Sequence, residues 1–375
     1  MFCFSAENTY FCGKTDFAMS ATGRIEYIDA LRGFTMILVV FHHIMSLGMG
    51  IESSVCSSLF ITFRMPLFFF ISGFIASKTA EIPTWKIWAE KIRKKTSVQL
   101  LPTLVFGLLF TYVVRHEDIG SFLMHRWKFG YWFTISLLEM FLIYYTAICL
   151  TGKFFRRKGG GRKCDRPAAI ILVGLAATLY LLKYALKNIG ITDQENDLLC
   201  LQDTFFYFQF FVFGNLAARN QNLFERLLDK KYFLTGILIL FTLLFLRQTE
   251  TDPGNSTSAM LQSAEALLCR YCGLLIVYSF FRRHQANFTQ AKPLGKALQY
   301  VGRRTLDIYM LHYFLLPHLP EVGEYLLSAP NLVLELSVGI ALSLLVTGIC
   351  LIISSVLRLS EPLSHYLFGA KPAHR

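Results

Sequence analysis

Charge is scarce in this chain: Asp, Glu, Lys and Arg make up 17% of its 375 residues, against 54% hydrophobic residues and 35 phenylalanines. A soluble protein so apolar could not cover its own core with polar surface, which excludes a soluble globular domain and leaves a polytopic membrane protein. Other absences narrow the class. Residues 1–27 show no long apolar run and no small-residue cleavage pattern, which argues against a cleaved signal peptide. They are expected to form a short cytoplasmic tail, with Met19 an alternative true start. There is no solenoid-length repeat and no internal symmetry of the kind that builds inverted-repeat transporters. The nine cysteines supply no disulfide framework, since Cys149, Cys200, Cys269 and Cys350 lie in or beside apolar runs, where a free thiol acts as a small hydrophobe. The longest expected outward loop, QTETDPGNSTSAMLQ at 248–262, has the composition of a turn region and is too small to be a domain. Its NST is a glycosylation acceptor only in a secretory eukaryotic setting.

What is present is a series of ten apolar stretches, at 28–47, 57–77, 98–114, 131–151, 168–187, 201–218, 232–247, 263–281, 305–319 and 332–357. Each approaches the ~20 residues a helix needs to cross ~30 Å of hydrocarbon. The sixth and ninth are the faintest. Of the 37 Lys and Arg, 28 fall in the alternate segments that include both termini and six in the others or at the span ends that border them (Lys183, Lys187 and Arg247), with Arg32, Arg64 and Arg270 deeper inside spans. The positive-inside rule then gives an even number of spans and cytoplasmic termini. The expected architecture is all-α: a polytopic membrane bundle of about ten transmembrane helices over 28–357, with cytoplasmic tails at 1–27 and 358–375. The net charge of +12 is accounted for by topology, not by a nucleic-acid partner. The bilayer is the first partner, and the basic face can attract an anionic cytosolic ligand or headgroup.

The first span, IDALRGFTMILVVFHHIMSL, carries Asp29, Arg32, His42 and His43. A titratable group at that depth is costly unless paired or used. Arg32 and His43 are eleven positions apart, about three turns plus ~20°, so they share a face with ~16 Å between them. Asp29, one turn before Arg32, can pair with it, whereas His42 faces ~100° away. An arginine snorkelling to the interface and a histidine closing a hydrogen bond would be the inert alternative. A histidine able to accept and return a proton suits acyl transfer to an alcohol. Further candidates follow along the chain. Arg64 enters the second span from the outer side, and Ser72 with Gly73 permits close approach of either a helix or a ligand. Lys91, Arg93, Lys94 and Lys95 lead into span three, where they either bind phosphates or serve as flanking charge. Glu139 in span four can meet an acceptor, orient His43, or pair with Arg64 or Arg270. The aromatics Phe205, Phe206, Tyr207, Phe208, Phe210 and Phe211 surround their helix, which suits core and lipid contact better than sugar stacking.

Five features in order resemble the integral membrane acyltransferase-3 family: arginine, ten residues, then histidine in span one; FFFISGF in span two; basic residues before a polar helix ending in LLP; YWF opening span four; and TLDIYMLH in span nine. The likeness covers essentially the whole chain. It implies transfer of an acyl group, most often acetyl from acetyl-CoA, to a hydroxyl of a cell-envelope glycan or similar acceptor, with no metal. The family's essential histidine falls on His43 and its supporting arginine on Arg32, while Asp307 and His312 match the late motif. One departure concerns the helix before LLP, arginine-rich in many members. Here it reads Lys95, Thr96 and Gln99, so Lys94 and Lys95 stand in for donor-binding arginines. The expected setting is a bacterial inner membrane, with acyl-CoA and glycan as partners and a separate periplasmic protein as a further one if the domain does not act alone. The rivals are a flippase for a lipid-linked glycan and the same fold transferring succinyl or another larger acyl group. Repeat symmetry or matching broken helices would favour the flippase, and the sequence suggests neither.

Overall fold

The computed structural model describes residues 25–52, 54–77, 84–156, 165–186, 190–250, 259–328 and 331–369. The possible start at Met19, the NST at 255–257 and the end of the C-terminal tail lie outside them. All regular structure among the described residues is helical. The chain opens with α1 (Glu26–His43), which widens into a π turn at Ile44–Gly48, then α2 (Val55–Ser77). Next come α3 (Trp85–Lys95), a π turn at Thr96–Leu100 and α4 (Leu101–Val113), followed by the short α5 (Ile119–Met124) and the long α6 (Trp132–Arg156). The middle of the chain forms α7 (Asp165–Ala185), α8 (Asp193–Leu199), α9 (Leu201–Arg219), α10 (Gln221–Asp229), α11 (Lys231–Glu250) and α12 (Ala259–Arg283). The last part comprises α13 (Pro293–Arg303), α14 (Thr305–Leu311), a 3-10 turn at His312–Leu315, α15 (Pro320–Ser328), α16 (Leu332–Leu357) and α17 (Glu361–Phe368).

Eight helical segments among the described residues are long and apolar enough to cross a membrane. They match eight of the ten expected spans, although the third begins at Trp85 and not near residue 98. The two faint stretches behave differently, for physical reasons. The sixth is α9, too polar by composition to qualify alone, yet buried at Phe208, Phe210, Phe211 and Asn215. Gly73 of α2 lies on the backbone of Phe211 and Gly214 of α9 on that of Phe70, so a Cβ at either would collide with main chain. Tyr207 stacks on Phe69, with ring centroids 4.9 Å apart.

The ninth stretch is not one helix. It starts twelve residues earlier than expected, as α13, in a segment expected to be a cytosolic loop. It then continues as α14, narrows into the 3-10 turn and runs on irregularly to Pro320. Gly33 of α1 abuts Leu298 and Gly302 abuts Asp29, while the Leu319 amide donates to the Gly48 carbonyl at 2.7 Å. Contacts that begin at Asp29 and Gly302 and end at Gly48 and Leu319 make this crossing parallel to α1. The expectation of unbroken helices is therefore corrected at 312–319. Non-helical backbone at such depth is tolerated because it is enclosed by protein.

Candidate active site

Two irregularities converge where α1 ends. His43 is the last residue of α1 before its π turn, and His312 is the first residue of the 3-10 turn after α14. π turns interrupting helices recur at functional sites. His43 Nδ1 lies 3.0 Å from His312 Nε2, and the two rings are within 9° of parallel. His312 Nδ1 lies 3.0 Å from the Ile308 carbonyl oxygen. A carbonyl only accepts, so the proton of a neutral His312 sits on Nδ1 and its Nε2 carries a lone pair. That lone pair accepts from His43 Nδ1–H, which leaves the lone pair of a neutral His43 on Nε2. The Tyr313 hydroxyl stands 3.4 Å from this nitrogen. The histidine pair thus presents one imidazole in a defined tautomer, with a weakly held proton-accepting position.

The broken crossing is held by the segment between α5 and α6. Tyr131 donates its hydroxyl to the Met310 carbonyl at 2.9 Å, and Tyr309 donates to the Gly130 carbonyl at 2.5 Å. Gly130, at φ 103°, lies against the Tyr313 ring, where any side chain would collide. Lys128, itself at φ 49°, donates to the carbonyls of Leu123 (2.7 Å), His125 (3.0 Å) and Asp197. Burial pushes its ammonium below the usual lysine range.

From His43 a stripe of α1 runs back through Val39 and Met36 to Arg32. The last three line a small cavity that is also bounded by Ser72, Gln99, Thr134, Thr305 and Tyr309. The expected shared face of Arg32 and His43 is therefore a cavity wall over its first three members. Arg32 donates to Thr305 Oγ1 at 3.0 Å and stands 3.9 Å from Asp29, which also faces Arg303 at 3.7 Å. Gln99 sits in the second π turn and points an unpartnered buried carbonyl oxygen toward its surroundings. Ser72 lines the same cavity and donates to the Phe68 carbonyl at 2.8 Å.

The remaining candidates disperse. Lys95 lies 3.7 Å over the Phe141 ring and within electrostatic range of Arg32, Lys91 lies 5.1 Å over Tyr145, and Arg93 and Lys94 are exposed. Glu139 accepts from Thr204 at 2.6 Å, tying α6 to α9 and not orienting His43. His42 turns to Ser57 at 3.1 Å. Asp307 is enclosed by Arg358, which donates to both its oxygens at 2.8 and 2.7 Å, by Arg304 at 3.4 Å and by Ser354. Its carboxylate is buried and already accepts four hydrogen bonds.

Arg64 is the opposite case: it is 7% exposed, and its Nε and Nη1 are buried without hydrogen-bond partners. It acts electrostatically on His42, His43 and His312. Sequence reasoning placed Arg64 but not this isolation, and it missed Tyr313 altogether, one residue beyond the TLDIYMLH motif. Treating the cysteines as isolated also overlooked a Cys-x-x-Cys, Cys269 and Cys272 on α12, both buried free thiols.

Among the described residues, eight apolar crossings, an imidazole pair with a defined tautomer and a cavity on the same face of α1 define a multi-pass membrane protein. The chain belongs to the acyltransferase-3 family, whose acyltransferase-domain model matches residues 25–355. It is accordingly a membrane acyltransferase. No curated protein and no solved structure matches the chain.

Proposed function

We propose that this enzyme transfers an acyl group, acetyl in the first instance, from acyl-CoA to a hydroxyl of a cell-envelope or exported glycan in the bacterial inner membrane. The observation that carries the proposal is the Nε2 lone pair of His43, met by the Tyr313 hydroxyl only at 3.4 Å and with its tautomer set through His312 by the Ile308 carbonyl. His43 Nε2 takes the acceptor hydroxyl proton as the oxygen attacks the thioester carbonyl. The tetrahedral intermediate then collapses, the C–S bond breaks, and the imidazolium returns its proton to the departing sulfur, giving ester and free CoA. His312 accepts from His43 Nδ1–H throughout, which holds the ring in place and favours the imidazolium as it forms.

The donor enters from the basic face. Arg32 and Lys95, supported by exposed Arg93 and Lys94, meet the CoA phosphates, and the thioester arm follows the Met36 and Val39 stripe toward His43. The acceptor arrives from the opposite side, past Tyr313. The test is label transfer from acetyl-CoA to envelope glycan in membranes, with wild type and His43→Ala side by side. Loss of transfer at unchanged protein level supports the assignment. Undiminished transfer in the variant overturns it, and glycan export without acylation would favour the flippase.

A further inference from the structure

Among the described residues, Arg64 is a buried charge with unpartnered N–H groups and no ion pair. Its guanidinium carries a permanent positive charge, since arginine is not deprotonated in proteins. It lies nine residues into α2, ~14 Å along the helix axis from Val55. No ion pair among the described residues includes it, and its electrostatic neighbours are Tyr207, Tyr309 and Tyr313 together with His42, His43 and His312. None of these is an anion. A lone cation so enclosed is unfavourable unless something of opposite charge joins it during the working cycle. A guanidinium retained for packing would be expected to spend its N–H groups on carbonyls, as the Lys128 ammonium does. Nε and Nη1 of Arg64 instead remain unspent.

We propose that Arg64 is an anion-accepting subsite of the transfer centre, receiving a negatively charged oxygen of the acyl group in transit. The proposal rests on the acyl transfer assigned above. When His43 takes the acceptor proton, positive charge develops beside a guanidinium that is already positive. The two tolerate each other only if an anion forms between them. Attack on the thioester supplies one, because the carbonyl oxygen becomes an oxyanion at the moment the imidazolium appears. A dicarboxylic acyl group such as succinyl supplies another, a carboxylate present from binding onward. The chemistry at Arg64 is the same in both cases, N–H donation from a cation to an anionic oxygen, and the two sources differ in when the charge arrives.

The test uses purified full-length enzyme, Arg64→Met and Arg64→Gln, with acetyl-CoA and succinyl-CoA as donors and thermal unfolding in parallel. Arg64→Met is expected to unfold at the same or a higher temperature, because it removes an uncompensated charge. If the oxyanion is the ligand, kcat with acetyl-CoA falls at least 100-fold while KM stays within threefold. If a carboxylate is the ligand, acetyl transfer persists and succinyl transfer is lost through KM. Wild-type transfer of both acyl groups by Arg64→Met overturns the proposal and leaves the His43 assignment standing, whereas absence of transfer by the wild type removes the underlying reaction. Should neither neutral variant fold, Arg64→Lys must fold and keep at least a tenth of wild-type transfer. Failure of all three to fold would make Arg64 a structural cation and overturn the proposal.

Discussion

Two of the charged clusters among the described residues are built on opposite terms. At the basic end, Asp307 has a bidentate arginine, a second arginine and a serine hydroxyl on one carboxylate, which binds α14 to α16. Where α1 ends, Arg64 and the histidine pair have no counter-charge among the described residues, and one imidazole nitrogen is met there by a hydroxyl at 3.4 Å. The satisfied cluster fixes the position of α14, and hence of His312 five residues on from Asp307. The unsatisfied cluster is then free to meet a substrate. In a bundle with little water, a fully partnered charge stabilises structure, and a partly partnered one is kept for chemistry.

The comparison can be broken or sharpened from either side. The largest effect is expected at His43. His43→Ala should lower acyl transfer by about 10²–10⁴-fold, the usual contribution of a general base, with little change in thermal stability. Asp307→Asn should do the reverse, costing about 3–5 kcal/mol of stability because it leaves Arg358 and Arg304 without their anion, and this is read by thermal unfolding. Retained stability would mean that the cluster does not anchor α14. His312→Phe removes the acceptor that sets the His43 tautomer and should lower kcat by about 10²-fold while KM changes little. A rise in KM without loss of kcat would instead make His312 a binding residue. Gly33→Ala should cost about 1–3 kcal/mol, since its Cβ would strike the Leu298 carbonyl and push α1 from α13. The smallest effect is expected at the cavity wall: Thr305→Val should raise the KM for acyl-CoA about tenfold, about 1.5 kcal/mol, the low end for one hydrogen bond to a charged group.

How much of this was legible beforehand depended on how local each feature is. The face shared by Arg32 and His43 follows from helical periodicity within eleven residues. The eight long crossings follow from apolar length. The segment expected between spans at 282–304 holds a helix, α13, whose packing on α1 depends on glycines at the contact, a property of a pair of helices and not of either one. Glu139 offered three possible partners and took a fourth, Thr204, which no spacing rule connects to it.

Composition and periodicity by themselves determined the class, most of the crossings, the stripe on α1 and the family likeness, because each depends on neighbours in sequence. Only the tertiary structure decided that His43 meets His312 across 269 positions, that Asp307 is occupied and that Arg64 is not. The physical reason is that the presence or absence of a partner for a buried charge is set by packing between distant segments. Close glycine contacts and a broken crossing brought those segments together.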